Sequence, residues 1–375
     1  MIDKILLFPY YLTLKTRHFL YDHGIRKVHG SGVPSIGIGN ITVGGTGKTP
    51  HTEMIIRMLL RSEKWCGKNV AVLSRGYRRR LGGFQIVTAD GSARDFGDEP
   101  LQIKKKFPGV TVAVDKDRVE GCRILCAPKP FLESKKSRKC RAKEITPADI
   151  LVLDDCFQFR ALKPDLSIVL VDYNRPTFKD SLLPLGRLRD LPERVASADA
   201  LIVSKCPWEI NPWEMDKWAL SLGIERYNQK DCFGWRTDNG RKQYLFFTKI
   251  GYDEAQPVFP EGNSRYLYSK MAVMFSGIAD DTPFSEQLRL NYKLVGHIKF
   301  GDHHKFTKSD VSAINSLAAA HPTSLIITTE KDYQRIRDCK NVPEELRRRM
   351  FYMPIRAQFL SDDERSVFAG IVAGL

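Results

Sequence analysis

The stretch "GNITVGGTGKTP" (residues 39–50) limits the fold more than any other part of the chain. It is glycine-rich, follows the apolar run "VPSIGIGN" and precedes "HTEMIIRMLL", which has helical spacing. A strand, a glycine turn and a helix in this order present backbone N–H groups and a helix N-terminus to an anion. The general phosphate-loop pattern G-x-x-x-x-G-K-[ST] would place its first glycine at position 42, which is threonine here. The remainder fits. The N–H groups of Gly44, Gly45, Thr46, Gly47, Lys48 and Thr49 can cradle phosphate, Lys48 can reach the β- and γ-phosphates, and the Thr49 hydroxyl can hold Mg²⁺.

Further apolar runs follow: "NVAVLSRG", "TVAVD", "ILVLDD", "SIVLVD" and "ALIVSK". Their spacing predicts a doubly covered parallel sheet. Several end in a polar residue, at Ser74-Arg75, Asp154-Asp155, Asp172 and Ser204-Lys205, where open α/β sheets bind ligands. "ILVLDD" supplies the metal-side carboxylate of a nucleotide site, in Asp154 and Asp155. Past a tryptophan-rich break, "MAVMFSGI", "YKLVGHIKF", "LIITTEKD" and "MFYMPI" predict a second, smaller α/β domain. The expected division is residues 1–30, an N-terminal helix; 31–205, the nucleotide domain; and 206–375, a linker and the smaller domain, with the boundary between 206 and 270.

A formal charge of +15 asks for an anionic partner: nucleic acid, membrane or a phosphorylated substrate. No helix-turn-helix, zinc pattern or aromatic RNA motif supports nucleic acid. A GTPase or metallochaperone-type ATPase would need an N-K-x-D motif, which "TEKD" (329–332) matches only loosely. The eight cysteines include no C-x-x-C pair; Cys122 and Cys126 lack two further ligands at zinc spacing and read as buried thiols. "ILLFPYYLTL" (Ile5–Leu14) is too short to span a bilayer. It suits either an interfacial helix, with Lys15, Arg17, Arg26 and Lys27 toward anionic headgroups, or a first helix packed on the core. The basic segment 129–143 reads as a solvated loop or as a patch for membrane or phosphate. Candidate bases lie in "FGDEP" (Asp98, Glu99) and "FGDHHKF" (Asp302, His303, His304).

The motifs "GNITVGGTGKTP", "LSRGYRR", "GDEP", "VDKDR", "DDCFQF", "LPLGRLRD", "FSGIAD", "GDHHKF" and "TTEKD" occur in the order seen in the tetraacyldisaccharide 4'-kinases, which this chain resembles to about residue 335. Threonine at position 42 is itself a trait of that family. The resemblance implies transfer of the γ-phosphate of ATP, with Mg²⁺, to the 4'-hydroxyl of a tetraacylated lipid A disaccharide 1-phosphate, yielding lipid IVA. It also implies a P-loop NTPase-like domain, a smaller α/β domain and an N-terminal membrane-interface helix, working at the cytoplasmic face of the bacterial inner membrane. By the same resemblance Lys48 and Thr49 take the nucleotide and Mg²⁺ positions, and Asp154 and Asp155 form the acidic pair. Asp98 is the base on the acceptor hydroxyl, paired with His303 from the other domain, so that cleft closure completes the site. A carboxylate with an ordinary pKa near ~4 is a weak base, which a hydrogen-bonded imidazole can assist. Arg75, Arg189 and Asp190 are candidate substrate or phosphate contacts. Three residues depart from the family pattern: Cys156, Phe159 and Asp190, where glycine, histidine and glutamate are usual.

Overall fold

The computed structural model describes residues 2–375 except Arg78, His303 and Lys340, with the backbone alone for 2–6. The described chain is a mixed α/β structure that divides into two units, residues 1–250 with 357–375, and residues 251–356.

The first unit holds an eleven-stranded sheet, ten strands on one path and Ile355–Phe359 paired with Lys242–Tyr252 off it. Its order from one edge is Ile224–Asn228, Phe233–Arg236, Lys242–Tyr252, Ala200–Ser204, Leu166–Asp172, Ser35–Gly39, Ile150–Asp154, Val70–Ser74, Thr111–Val114 and Gln85–Ile86. Every neighbour pair from Lys242–Tyr252 through Thr111–Val114 is parallel. Alternation along these strands explains why the runs are apolar throughout. Ile36, Ile38, Val70, Val72, Ile150, Val152, Ile168 and Leu170 pack in one core. Their neighbours face the opposite way: Ala71, Leu73, Leu151 and Leu153 join a second core, and Val169 and Val171 a third. A two-sided sheet leaves its strands no polar face.

The chain leaves Ser35–Gly39 toward Val70–Ser74, returns to Ile150–Asp154 beside it, then lays Leu166–Asp172 on its other side. That reversal opens a crevice at the carboxyl end of Ser35–Gly39, where such sheets bind ligands. The helix Lys48–Arg61 covers this strand and is itself covered by the C-terminal helix Asp362–Ala373; hence Ile56 is buried as well as Met54, Ile55 and Leu59.

Residues 206–250, expected as linker or smaller domain with the boundary between 206 and 270, belong to the first unit, which breaks at 250; 357–375, expected in the smaller domain, belongs to the first unit as well. The cause is edge pairing. The antiparallel strands Ile224–Asn228, Phe233–Arg236 and Lys242–Tyr252 extend the main sheet beyond Ala200–Ser204. The returning segment is fixed by Leu360 N donating to Phe247 O, and by Phe247 N donating to the buried Glu364 carboxylate at 2.6 Å. The second unit has a five-stranded sheet ordered Gln256–Pro257, Met350–Met353, Leu325–Thr329, Met271–Ser276 and Lys293–Lys299, parallel except at the first pair.

The N-terminal helix spans Ile2–Asp22. Leu7, Tyr10 and Leu14 pack on the first unit, whereas Phe8, Leu12 and Phe19 are 58%, 51% and 52% exposed. No helix among the described residues is long and apolar enough to cross a membrane.

Burial raises the Glu364 carboxyl from 4.5 to about 7. The folded pKa lies above the unfolded one, so the folded state holds the extra proton between these values and stability declines as pH rises across that window. Glu364→Gln should flatten that decline in urea unfolding measured from about pH 4.5 to about pH 7; an unchanged pH slope would refute the assignment.

Candidate functional site

The glycine-rich loop leaves Ser35–Gly39 and enters the helix Lys48–Arg61. Gly44 and Gly47 have φ of 114° and 86°, left-handed backbone that a β-carbon would strain. A β-carbon at Gly39 would stand 2.6 Å from Phe157, so the strand end accepts no side chain. Gly44 and Gly45 are exposed with open space above them, and Thr46 and Thr49 are buried.

Thr42 sits in a different kind of backbone. It forms an antiparallel bridge to Leu188, flanked by Val43 N donating to Arg187 O and Arg189 N donating to Ile41 O, both at 2.8 Å. The first half of the loop is thus an extended segment held by residues 187–189, where a side chain is accommodated. The Thr42 hydroxyl accepts from Asn40 Nδ2 at 3.2 Å.

Asn40 organises the loop from within. Its Nδ2 also donates to Thr46 Oγ1 at 2.8 Å, and its Oδ1 accepts from Arg189 Nη2 at 2.6 Å and from Lys48 Nζ at 3.4 Å. Ser204 Oγ donates to Thr46 O at 2.8 Å, and the His51 ring donates from Nδ1 to Gly47 O at 2.7 Å while Nε2 accepts from Thr248. Burial pushes the His51 imidazole down to about 4, so it is the neutral ring that holds the loop.

The two adjacent acids have opposite surroundings. Asp154 ends its strand, is buried, and accepts from Ser74 Oγ at 3.0 Å and Thr52 Oγ1 at 3.4 Å. Burial, and then the charges of Glu99 and Asp155, raise it to about 7 against the pull of Lys48. Asp155 turns out of the strand with φ 48° and accepts from Arg189 Nη2 at 2.6 Å, with Lys48 Nζ at 3.9 Å. Burial acts to raise this carboxyl too, but Lys48 and Arg189 outweigh it and hold it below its ordinary value.

Asp98 opens the helix Asp98–Lys106, entered through Gly97 at φ 98°. Glu53 ties this helix to the loop helix: its buried carboxylate accepts from Gln102 Nε2 at 2.9 Å and pairs with Lys106 at 2.6 Å. Glu99, beside Asp98, is close enough to perturb Asp154. Arg75 is exposed at the end of Val70–Ser74, and Arg118 donates to Asp155 O at 3.2 Å.

The structure therefore gathers Gly44–Thr49, Asp154, Asp155 and Arg189 around one crevice. Asp190 is not among them. Its side chain is 1% exposed and is bonded to His18 Nε2 of the N-terminal helix at 2.6 Å, so it has no face for a substrate. Cys156 is buried, with burial pushing its thiol up to about 12, and fills the space where Gly37 lacks a side chain. Phe159 stacks under Arg118. His303 lies outside the described residues. In the second unit, the Asp332 of "TEKD" is buried and accepts from Thr329 Oγ1 and Gly277 N, which is loop support. In the basic segment 129–143, Arg141 pairs with Asp95 and Lys136 with Glu120. Sequence reasoning passed over Asn40, His51 and the Glu53–Gln102 contact. The polar residues inside the motif and the acid on an otherwise apolar helix were the available signals.

A family model described as Tetraacyldisaccharide-1-P 4'-kinase matches residues 4–371. The tetraacyldisaccharide 4'-kinase of Phocaeicola vulgatus is 38% identical over 355 residues, covering 93% of this chain and 87% of its own. That of Bacteroides thetaiotaomicron is 35% identical, covering 95% and 88%. Among solved structures, LpxK of Aquifex aeolicus in complex with ATP superposes with a TM-score of 0.68 over 100% of this chain and 99% of its own. At 24% identity that likeness speaks for the fold.

Restoring the general pattern with Thr42→Gly should not tighten nucleotide binding. It should cost about 1 kcal/mol of stability, because an extended, hydrogen-bonded residue becomes a freer one. Thermal unfolding and ATP titration check both parts; a tighter, equally stable variant would contradict this account of Thr42.

Proposed function

Because the chain belongs to the tetraacyldisaccharide 4'-kinase family, we propose that it transfers the γ-phosphate of ATP to the 4'-hydroxyl of a tetraacylated disaccharide 1-phosphate. The observation that carries this is the pairing of a family match over residues 4–371 with an open glycine loop whose Lys48 and Asn40 reach the strand-end carboxylate Asp155 directly and through Arg189.

In this reading the loop is a P-loop. The exposed backbone of Val43–Gly45 and the N-terminus of Lys48–Arg61 receive the phosphates. Lys48, at present shared between Asn40 and Asp155, turns to the β- and γ-oxygens, and Arg189, bonded to the same two residues, offers a second cation. The donor set suits Mg²⁺: Thr49 and Asp154 provide hard oxygens, and a carboxylate made costly by burial and like charge is one that a cation relieves. Asp155 is already balanced by Arg189 and Lys48, so its part is to hold those cations or a metal-bound water. Bound there, Mg²⁺ would offset charge on the transferring phosphoryl group. Asp98 takes the proton of the acceptor hydroxyl, and His303 has the assisting role that the resemblance gives it.

The acceptor's acyl chains call for a lipid surface, and the resemblance implies that this is the cytoplasmic face of the inner membrane. The exposed Phe8, Leu12 and Phe19 stripe is the part of the N-terminal helix that enters the interface, while Leu7, Tyr10 and Leu14 stay docked.

Incubation with labelled ATP, Mg²⁺ and the disaccharide 1-phosphate should move label into lipid; none in lipid would refute the assignment. Asp98→Ala should slow transfer roughly 10²- to 10⁴-fold with ATP binding retained, and Lys48→Ala should abolish transfer by weakening the phosphate contacts. Near-wild-type turnover in Asp98→Ala would remove it as base. Replacing Phe8, Leu12 and Phe19 together by serine should lower flotation with anionic vesicles at an unchanged melting temperature. Full recovery with the vesicles would sink the interfacial role.

A further inference from the structure

The N-terminal helix does more in this structure than carry an apolar stripe: its docked face grips the backbone that aims Arg189. His18, buried at the end of that face, donates from Nε2 to Asp190 Oδ1 at 2.6 Å, while its Nδ1 accepts from Arg160 Nη1 at 3.1 Å and so fixes the tautomer. Asp190 Oδ1 also accepts from Leu191 N at 2.9 Å. One residue back, Arg189 O accepts from the Tyr10 hydroxyl at 3.0 Å, and Arg189 N donates to Ile41 O at 2.8 Å. The backbone of 189–190 is thereby held on both sides, and the guanidinium extends to Asn40 Oδ1 and Asp155 Oδ1, each at 2.6 Å. Asn40 in turn holds Thr42 and Thr46.

We infer that His18 and Tyr10 are positioning residues for the phosphate loop, acting through Asp190 and Arg189 to fix Asn40 and the loop threonines. The inference rests on the reading of the loop as the ATP site. It gives the helix a function in nucleotide binding separate from its exposed stripe, since Phe8, Leu12 and Phe19 take no part in these bonds. It also accounts for a buried carboxylate at 190 that touches no substrate: its charge is spent on the helix, and its neighbour's on the loop.

Calorimetric titration of the full-length protein with ATP and Mg²⁺, without acceptor, tests it. Tyr10→Phe removes one hydroxyl and keeps the packing; it should raise the ATP Kd about threefold. His18→Leu keeps the volume and removes the donor, and should raise Kd roughly tenfold. His18→Gln, which keeps an N–H at the ε position, should return Kd to within about twofold of wild type. Melting curves identify the folded variants. A purely structural role would lower the melting temperature and leave Kd alone, so wild-type affinity in Tyr10→Phe, or in a folded His18→Leu, overturns the inference. A wild-type protein that binds ATP but moves no phosphate to lipid would refute the acceptor reading and leave this inference standing. One that binds no ATP would refute both.

Discussion

The guanidinium of Arg189 is where the separate parts of this site become one. It donates to the Asn40 amide in the loop and to the Asp155 carboxylate beyond the next strand, so two connections from different strands share one planar cation. A guanidinium suits this because its fork donates in two directions at fixed geometry, which a lysine ammonium does not. Without that cation, Asp155 would have Lys48 as the remaining cation beside its carboxylate, with Arg118 on its backbone oxygen. Arg189 thus lets Asp155 remain anionic while leaving Lys48 only loosely held, at 3.4 Å and 3.9 Å from its partners.

Much of this was legible in the sequence because the physics is local or two-sided. Each predicted apolar run became a strand; those of the first unit are buried on both faces, while Lys293–Lys299 is a half-buried edge strand of the second. The loop was legible because glycine at 44 and 47 answers a backbone demand at that very place. The edge of the first unit was not. Ile224–Asn228 and Phe233–Arg236 are antiparallel strands with several exposed or half-buried positions, so they lack the continuous apolar signature, and they join the sheet only through Lys242–Tyr252, which pairs with Ala200–Ser204. The return of 357–375 was equally hidden, because it depends on Glu364 meeting a backbone N–H more than a hundred residues away.

Asp190 shows the same limit at the level of one side chain. Charged, next to an arginine and inside a shared motif, it resembled a ligand contact. What decides its role is His18, 172 positions earlier, on a helix whose own reading was open between core and membrane. The structure gives that helix two stripes of different character. Leu7, Tyr10, Leu14 and His18 recur at helical spacing on the docked side, and Phe8, Leu12 and Phe19 on the free side. Composition could register the apolar content but not its division between two partners.

The adjacent acids complete the argument about why two are present. A strand's successive residues point to opposite sides, so Asp154 stays within the sheet's end while Asp155, at left-handed φ, swings out toward Arg189. Burial and neighbouring carboxylates lift Asp154 to about 7, leaving it poised to gain from a cation. Asp155 is already offset by Lys48, Arg189 and Arg118 and sits below its ordinary value. One carboxylate would have to choose between holding the loop's cations and receiving another. Two, a single peptide apart, divide the tasks: Asp155 holds the neighbouring cations, and Asp154 keeps a buried carboxylate whose charge no side-chain cation among the described residues pairs directly.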